Sequence, residues 1–544
     1  MTATLEPIFG NGIALNSWAF AFFFAAAVLI YYVLPRRVRP YELVGASLVF
    51  FMLAGNGWQF LPYIIGAAAL AYGCSMGIQH LRARRIDSPN QHSDGRGHLR
   101  GYCAALLALY IILVFGMFML FRCSSFFFST VKGIGELFTI NVAGGKLNLV
   151  APLGLGYWTL SSISYVTDVY RGVTPAEHNP FKLLLFMSFF PQMTCGPITH
   201  MNWVREQLFA GQRFSYKNLR FGVQRMLWGY FKKMVVADRV SLYITTVYQA
   251  PNDHPGFYLA VAILLFGIQI YCDFSGCIDI ALGAAEVFGI KLPEDFKSPF
   301  FSKTFQDFWH HWHITLSLWM KEYIFYPVLK SKLLQSIRKS LKKHAGKAVS
   351  KKVPTYIAML CTWFMVGFWH CGMWVGGSWK YILCAGIFPC IVMILGDLFD
   401  PLFQKISKAL HFKTESGGFQ LFRYLRTIFL VYASNWWIFN ASSLHNAVQI
   451  FKALFSNFNP WILVDNSSLF KCGLTQQDFG LIFVCVALIF AVEIIHHNGY
   501  HIREWIAAQP IVLRWVIYYA GLFAVIIFGI YGPGFDASTF IYKG

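Results

Sequence analysis

Apolar runs that are long enough to cross a membrane recur along almost the whole chain. An α-helix rises about 1.5 Å per residue, so about 20 apolar residues span the hydrocarbon core of a bilayer. The pattern therefore predicts an all-α polytopic membrane protein with roughly 11–13 transmembrane or re-entrant helices. Of the candidate spans, 42–54 and 151–167 are short enough to be re-entrant, and 256–290 is long enough for two pieces. The full set is 17–34, 42–54, 58–80, 102–121, 151–167, 181–196, 222–249, 256–290, 354–370, 374–398, 421–440, 479–496 and 512–531.

The composition excludes an ordinary soluble domain. Of the 544 residues, 56% are hydrophobic and only 13% are charged. A soluble chain carries about twice this charged fraction. Because one transmembrane bundle can take up a whole chain of this length, we expect a single integral-membrane domain over residues 1–544.

The formal charge of +20 is concentrated in short stretches between the apolar runs. Arg36, Arg37 and Arg39 follow the first span, and residues 330–352 hold nine Lys or Arg and no acidic residue. Basic loops between apolar spans indicate the cytosolic side of the membrane. We therefore predict a cytosolic basic loop at 330–352 that contacts anionic lipids, and we predict no nucleic-acid binding.

His370 lies deep in an apolar segment that begins near residue 353. An ionisable side chain is costly inside a membrane span, and it usually faces a cavity, a partner or a reaction. Glycines on both sides of His370 predict a broken helix that lines a water-filled space. They are Gly367, Gly372, Gly376 and Gly377. The structural alternative is a histidine that bonds to a neighbouring helix, but the flanking Trp369 and Trp374 favour a functional role.

A second histidine, His313, lies in the aromatic segment 301–330, which we predict to be one helix. An aromatic stripe that includes Trp309 and Trp312 would pack against other spans or lie at the lipid interface. A different face of the same helix would carry polar side chains and border a cavity. These polar residues are Gln306, His310, His313 and Ser317.

The histidines near position 310 do not form a convincing metal site. On a helix, His311 would point away from His310 and His313, and two histidines without a suitably spaced carboxylate bind zinc poorly. The twelve cysteines show no C-x-x-C pair and no Cys/His spacing typical of a metal site. We therefore predict no bound metal and no disulfide framework.

The stretch Tyr271–Gly276 places polar groups within another predicted span. Asp273 and Ser275 need partners at this depth, and so does the following Asp279. We assign supporting hydrogen bonds to Asp273 and Ser275. The structural alternative is a helix break that is capped by the aspartate and serine side chains.

Five parts of the chain, taken in order, resemble the bacterial membrane-bound O-acyltransferase family. The resemblance is strongest to the branch that O-acetylates alginate, and the branch that transfers D-alanine to teichoic acid is a close relative. The core motifs lie within residues 150–400. The matching stretches are Pro152–Gly156, Phe190–Gln192 with Gly196–Ile198, Tyr271–Gly276, Phe308–Trp309 with Trp312–Ser317, and Trp369–His370. The departures are His310 and His311 in place of two arginines, Cys371-Gly372 in place of Gly-Ala, and Asn440 in place of arginine.

The resemblance implies a ring of helices around a central tunnel, which an acyl donor enters from the cytosol and an acceptor from the other face. It matches His370 to the essential histidine of the family and His313 to a second conserved polar position. Acyl transfer from a thioester to a hydroxyl needs a base, and a neutral imidazole suits this task. We predict that His370 is the general base and that His313 orients the acceptor, relays the proton or stabilises the oxyanion. The residues predicted to wall or support the tunnel are Trp309, Trp312, Trp369 and Trp374.

Together these features predict a multi-pass O-acyltransferase of the plasma membrane. It would move an acyl group, acetyl in the simplest case, from a cytosolic thioester towards a hydroxyl of an extracytoplasmic envelope polysaccharide. The expected donor is acetyl-CoA or an acylated carrier protein, with no bound cofactor and with an extracytoplasmic acetyl-transfer or polymer-biosynthesis partner. Two alternatives stay open, namely D-alanyl transfer from a carrier protein to teichoic acid, and a transporter that uses His313 and His370 as a proton relay.

Overall fold

The protein is built almost entirely from helices. The computed structural model describes residues 13–54, 57–87, 93–137, 149–373, 379–411, 413–465 and 467–530. Within these ranges no strand is present, and the only β-type pairing is an isolated bridge between Phe296 and Trp312. The prediction of an all-α protein is confirmed.

Six helical runs in the described part of the chain are long and apolar enough to cross a membrane. They are Trp58–Arg84, His98–Lys132, Phe257–Val287, Trp379–Ala409, Gln476–His497 and Ile511–Phe528. A shorter apolar helix covers Trp18–Val33. These helices confirm a polytopic membrane protein. The expectation of two pieces for 256–290 is wrong, because Phe257–Val287 contains no proline and continues as one helix of 31 residues.

The chain divides into two compact units, each assembled from separate segments. The first unit contains the described residues up to Tyr230 and the segment Gly276–Pro293. The second unit contains Phe231–Ser275 and Glu294–Ile530, so the long helix Phe257–Val287 contributes to both. The predicted single domain and the predicted ring around a tunnel stay predictions.

The α-helices of each unit follow the apolar pattern of the sequence. In the first unit they are Trp18–Val33, Arg39–Ala54, Leu61–Asp87, Ser93–Phe118, Ser124–Leu137, Leu155–Arg171, Pro180–Ser188, Phe190–Met193, Met201–Leu208 and Tyr216–Tyr230. In the second they are Asp238–Gln249, Phe305–His311, Ile314–Met320, Tyr326–Leu329, Lys332–His344, Gly346–Met373, Trp379–Ile382, Phe388–Ala409, Gly417–Val431, Trp437–Phe439, Leu444–Leu454, Gln476–His497, Ile502–Ala508 and Ile511–Phe528.

Several helical runs of the second unit contain π-helical turns, which occur frequently at functional sites. They are Phe231–Ala237, Lys321–Phe325, Leu383–Ile387 and Tyr432–Trp436. Each turn continues directly into flanking α-helix, so the helices run on through these points. Short 3-10 turns cover Pro299–Phe301, Pro460–Leu463 and Leu469–Lys471 in the same unit.

In the first unit, the helix Tyr216–Tyr230 packs very closely against the segment that begins at Gly276. A Cβ atom on Gly229 would lie 2.5 Å from the carbonyl oxygen of Gly276, so a larger side chain would push the two backbones apart. Arg225 forms an ion pair with Asp279 across the same contact, with Nε 2.9 Å from Oδ1. Gly276 therefore has a packing role, and Arg225 supplies the partner that Asp279 needs.

The helix Gly346–Met373 carries His370 and continues without a break to its last residue. The expectation that glycines would interrupt it is wrong for Gly367 and for Gly372. Gly367 instead allows close packing, because a Cβ atom there would lie 2.7 Å from the Cα atom of Ile382. Gly376 and Gly377 lie outside the described residues.

Candidate active site

His313 lies in a turn between two short helices. The segment 301–330 contains the separate helices Phe305–His311 and Ile314–Met320, with His313 at the start of the second. The prediction of one long helix is wrong, because the φ angle of His313 is 46°, in the left-handed region that an α-helix excludes. The common face predicted for Gln306, His310, His313 and Ser317 is therefore absent.

An extended segment that precedes these helices holds the turn in place. The backbone N–H of Lys297 donates to the carbonyl oxygen of His311 at 3.1 Å. The backbone N–H of Ile314 donates to the carbonyl oxygen of Asp295 at 2.9 Å. Helix ends leave such backbone groups unpaired, so these two bonds stabilise the interruption.

The buried side chain of Asp295 fixes the imidazole of His313. Oδ2 lies 2.7 Å from Nδ1 of His313, and Oδ1 accepts from the backbone N–H and the hydroxyl of Thr315 at 2.8 and 2.7 Å. Burial raises the pKa of Asp295, but the charge and hydrogen bond of His313 and the hydrogen bonds of Thr315 together hold that pKa below its usual value. The ionised carboxylate accepts only, so Nδ1 of His313 carries a proton and Nε2 has the lone pair when the ring is neutral.

His370 is buried near the end of its helix, with a relative exposure of 7%. Its Nδ1 donates to the carbonyl oxygen of Val366, one turn earlier, at 2.7 Å. Since a carbonyl oxygen only accepts hydrogen bonds, Nε2 is the lone-pair nitrogen of the neutral ring. The ring of Phe439 packs edge-on against the imidazole, with the two centroids 6.0 Å apart.

His313 and His370 both lie within the second unit. Both rings use Nδ1 to bond to the protein, one to a carboxylate and the other to a backbone carbonyl. The ring of Phe274 packs edge-on against His313 at a centroid distance of 4.8 Å. Two imidazoles with defined Nδ1 partners can take a proton from one group and donate a proton to another.

Aromatic packing joins the segment that carries His313 to the helix that carries His370. The ring of Trp309 lies 5.4 Å from that of Trp363, seven residues before His370 in the same helix. Trp312 and Trp369 are both buried. The fourth predicted tunnel residue, Trp374, lies outside the described residues.

Asp273 and Ser275 are bonded to two buried lysines that the sequence analysis missed. Lys233 lies 2.6 Å from Asp273 and 2.7 Å from Asp238, and it is buried together with both carboxylates. Lys232 donates to the hydroxyl of Ser275 at 2.7 Å. A signal for these residues was available, because two adjacent lysines inside the predicted span 222–249 need polar partners.

A further buried carboxylate, Glu493, supports the segment after Asp295. The hydroxyl of Tyr271 donates to the Glu493 side chain, and the hydroxyl of Ser298 donates to the Glu493 carbonyl oxygen at 3.4 Å. The Tyr271 ring packs edge-on against Phe300 at 4.9 Å. The helix Gln476–His497 is thereby bonded to the loop that positions His313.

Among the described residues, no three His, Cys, Asp or Glu side chains are arranged to hold a metal ion. The imidazole of His311 instead bonds to its own helix, with Nδ1 2.8 Å from the carbonyl oxygen of Asp307. Among the described residues, the groups available for chemistry at this site are therefore the imidazoles, the carboxylates and the lysines.

The buried imidazole of His370 and the carboxylate-bonded imidazole of His313, in a polytopic helical protein, fit a membrane enzyme that catalyses group transfer with acid–base chemistry. Residues 173–434, which include His313, His370 and Asp295, match the model of MBOAT, the membrane-bound O-acyltransferase family. The chain carries a domain of this family and is an acyltransferase. The resemblance that the sequence motifs indicated is thereby confirmed.

Curated relatives with related activities align over much of the chain. A probable alginate O-acetylase of Pseudomonas syringae pv. tomato is 27% identical over 479 residues, which cover 87% of this chain and 80% of that protein. The peptidoglycan O-acetyltransferase of Helicobacter pylori is 26% identical, with 76% of this chain and 73% of that protein covered. The teichoic acid D-alanyltransferase of Bacillus subtilis is 26% identical, with 46% and 60% covered.

Proposed function

We propose that the protein transfers an acetyl group from a cytosolic thioester towards a hydroxyl of an extracytoplasmic envelope polysaccharide. The observation that carries this proposal is the buried imidazole of His370 with its defined Nε2 lone pair, in the same unit as the carboxylate-bonded imidazole of His313. Base catalysis is what a hydroxyl needs in order to attack a thioester. The names of the acetylating relatives supply the class of acceptor, since alginate and peptidoglycan are both envelope or extracellular polymers.

In the proposed reaction, Nε2 of His370 accepts the proton of the acceptor hydroxyl while its oxygen attacks the thioester carbonyl carbon. The C–O bond forms, and the carbonyl oxygen becomes an oxyanion. The oxyanion then re-forms the carbonyl as the C–S bond breaks, and the thiolate takes a proton from protonated His313 to leave as the thiol. The proton that His370 accepted is passed back to His313, which returns both rings to their starting states. The Val366 carbonyl keeps the proton of His370 on Nδ1, so the nitrogen that acts as the base is defined.

His313 is suited to the complementary role. The carboxylate of Asp295 stabilises the protonated ring, as a carboxylate does for a histidine that alternates between base and acid. The Nε2–H of a protonated His313 can donate to the oxyanion or to the departing sulfur. We therefore propose His370 as the general base and His313 as the electrostatic and proton-donating partner.

The acetyl group is favoured over D-alanine by the extent of the alignments. The acetylating relatives align over 87% and 76% of this chain, whereas the Bacillus subtilis D-alanyltransferase aligns over 46%. The donor in this proposal is acetyl-CoA or an acetylated carrier protein. An extracytoplasmic acetyl-transfer or polymer-biosynthesis protein is the proposed partner that completes delivery.

We further propose that the enzyme lies in the plasma membrane with the basic stretch 330–352 in the cytosol. The helix Lys332–His344 buries Leu334 and exposes Lys339, Lys342 and Lys343. Exposed lysines beside a membrane span attract anionic lipid headgroups. This arrangement agrees with the positive-inside rule.

The proposed function is tested by identifying the acyl groups that mild alkali releases from the envelope polysaccharides of cells with and without the gene. We expect acetate to be released from the first strain and lost from the second, with restoration by a plasmid copy. Release of D-alanine instead of acetate would support the D-alanyl alternative. Equal release from the two strains would contradict acyl transfer to the envelope.

The transporter alternative predicts a different result in the same strains. A transporter that relays protons through His313 and His370 would be needed for export of the polymer itself. We expect the amount of exported polymer to be unchanged in the deletion strain, because the proposed enzyme only modifies it. Loss of polymer together with normal acetylation of the remainder would favour transport.

Replacing Asp295 with asparagine is expected to lower kcat by at least about tenfold, because a neutral amide no longer stabilises the positive charge of the protonated His313 ring that donates from Nε2. The rate of acetyl transfer from labelled donor by the purified protein measures this effect. Asp307→Asn is the matched control, since that carboxylate lies on the next helix and is more exposed. A fully active Asp295→Asn variant would remove the assigned role of His313.

A further inference from the structure

A buried lysine, Lys380, holds the end of the helical segment that contacts His370. Only 3% of Lys380 is exposed, and its ammonium group donates to the carbonyl oxygens of Phe439, at 2.9 Å, and of Ala441. The acceptors lie at the end of the helical run from Gly417 to Phe439. The carbonyl end of a helix carries partial negative charge, so a cation is stabilised there.

A buried ammonium group at this position stabilises the fold less than an apolar side chain of similar volume would. Burying a charge costs free energy even when it is hydrogen-bonded, and methionine would fill a similar volume without that cost. Ionisable side chains within membrane segments are usually linked to function. Lys380 holds the segment that ends at Phe439, and this segment contacts His370, so the function concerns the proposed base.

Phe439 connects Lys380 to the proposed base. Its carbonyl oxygen accepts from Lys380, and its ring packs edge-on against the imidazole of His370 at 6.0 Å. The ring of Tyr381 contacts the same phenyl ring at 5.2 Å, and the Lys380 ammonium lies 4.3 Å from the Tyr381 ring centroid. Lys380 and Tyr381 thus fix the backbone and the ring of Phe439 together.

We propose that Lys380 is a positioning residue for His370. By fixing the Phe439 ring, it holds the imidazole in the orientation that directs Nε2 towards the acceptor hydroxyl. The Val366 carbonyl anchors one edge of the imidazole, and Phe439 restricts its rotation about that anchor. The inference rests on the proposed role of His370 as the base.

Lys380→Met is expected to lower kcat roughly 10- to 100-fold, the range in which small misplacements of a reacting group reduce rates. The KM for the acyl donor should stay unchanged, because Lys380 acts on the base and not on the donor. Lys380→Arg should restore part of the rate, since it keeps a cation that donates to carbonyl oxygens. Lys405→Met is the matched control, because it removes an exposed lysine from the helix Phe388–Ala409.

A double-mutant cycle with Phe439→Leu tests whether the effect passes through the phenyl ring. If it does, Lys380→Met combined with Phe439→Leu should be no slower than the slower single variant. If the rate loss of the double variant equals the product of the two single losses, Lys380 acts by another route, and the proposal is overturned. If Lys380→Met does not accumulate as folded protein, Lys380→Gln takes its place in the same cycle.

A measurement that does not need catalysis separates this proposal from the proposed function. The rate at which diethylpyrocarbonate modifies His370, read by peptide mass spectrometry, reports how firmly the ring is held. We expect faster modification in Lys380→Met than in the wild type and no change in Lys405→Met. Unchanged modification of His370 in Lys380→Met would overturn the positioning role. If His370 is modified faster in Lys380→Met, but a His370 variant keeps its activity, the positioning role of Lys380 stands. In that case only the proposed role of His370 as the general base is wrong.

Discussion

Replacing His370 with glutamine is expected to lower kcat for acyl transfer by about 10²- to 10⁴-fold, the usual contribution of a positioned general base. Glutamine preserves much of the side-chain volume and can donate to the Val366 carbonyl as the imidazole does. It cannot accept the proton of an attacking hydroxyl. The measurement is the initial rate of labelled acetyl transfer by purified protein in proteoliposomes, with the KM for the donor determined in parallel.

The control for this variant is His445→Gln, because His445 is exposed and bonds only locally to Gln449. Its rate should equal that of the wild type. We also expect His313→Gln to be strongly impaired, and the double variant with His370→Gln to be little worse than the slower single variant, because residues that act in one step do not contribute independently. A His370→Gln enzyme that keeps most of its rate would show that another group takes the proton.

The positions of the two histidines could be predicted from the sequence, but the partner of His313 could not. An ionisable imidazole within an apolar run stands out in the sequence because it is costly in a membrane span, and this contrast identifies His370. Asp295 lies 18 residues before His313, and the two meet through a side-chain hydrogen bond beside the β-type bridge between Phe296 and Trp312, which leaves no periodic signal. The 3.6-residue period of 301–330 predicts one helix, but tertiary hydrogen bonds stabilise a turn there. His313 adopts a positive φ in that turn, so the helix is interrupted.

The helical spans were more predictable than the contacts between them. Runs of apolar residues report burial in lipid or protein, and helix Phe257–Val287 and its neighbours follow them closely. The glycines were harder to interpret, because the same residue serves both at breaks and at close contacts. Gly367 shows the second use, since it lies within a continuous helix against Ile382.

Lys233→Met is expected to destabilise the protein by about 3–5 kcal/mol, the typical cost of removing one partner from a buried ion pair. Lys233 bonds to both Asp238 and Asp273, and all three side chains are buried. Its loss leaves two carboxylates close together without the cation between them. Neutralising them by protonation would itself cost free energy at neutral pH. Thermal unfolding of the purified protein in a fixed detergent measures the loss.

Two comparisons show whether charge or packing causes this destabilisation. Lys217→Met removes an exposed lysine from the helix Tyr216–Tyr230 and should leave the melting temperature unchanged. Adding Asp238→Asn and Asp273→Asn to Lys233→Met should recover part of the lost stability, because neutral amides remove the uncompensated negative charge. If the triple variant is less stable than Lys233→Met alone, the side chains contribute mainly through packing and hydrogen bonds. If the three side chains act as a network of paired charges, the triple variant must be more stable than Lys233→Met alone. The reason is that the lysine between the two carboxylates stabilises their negative charges.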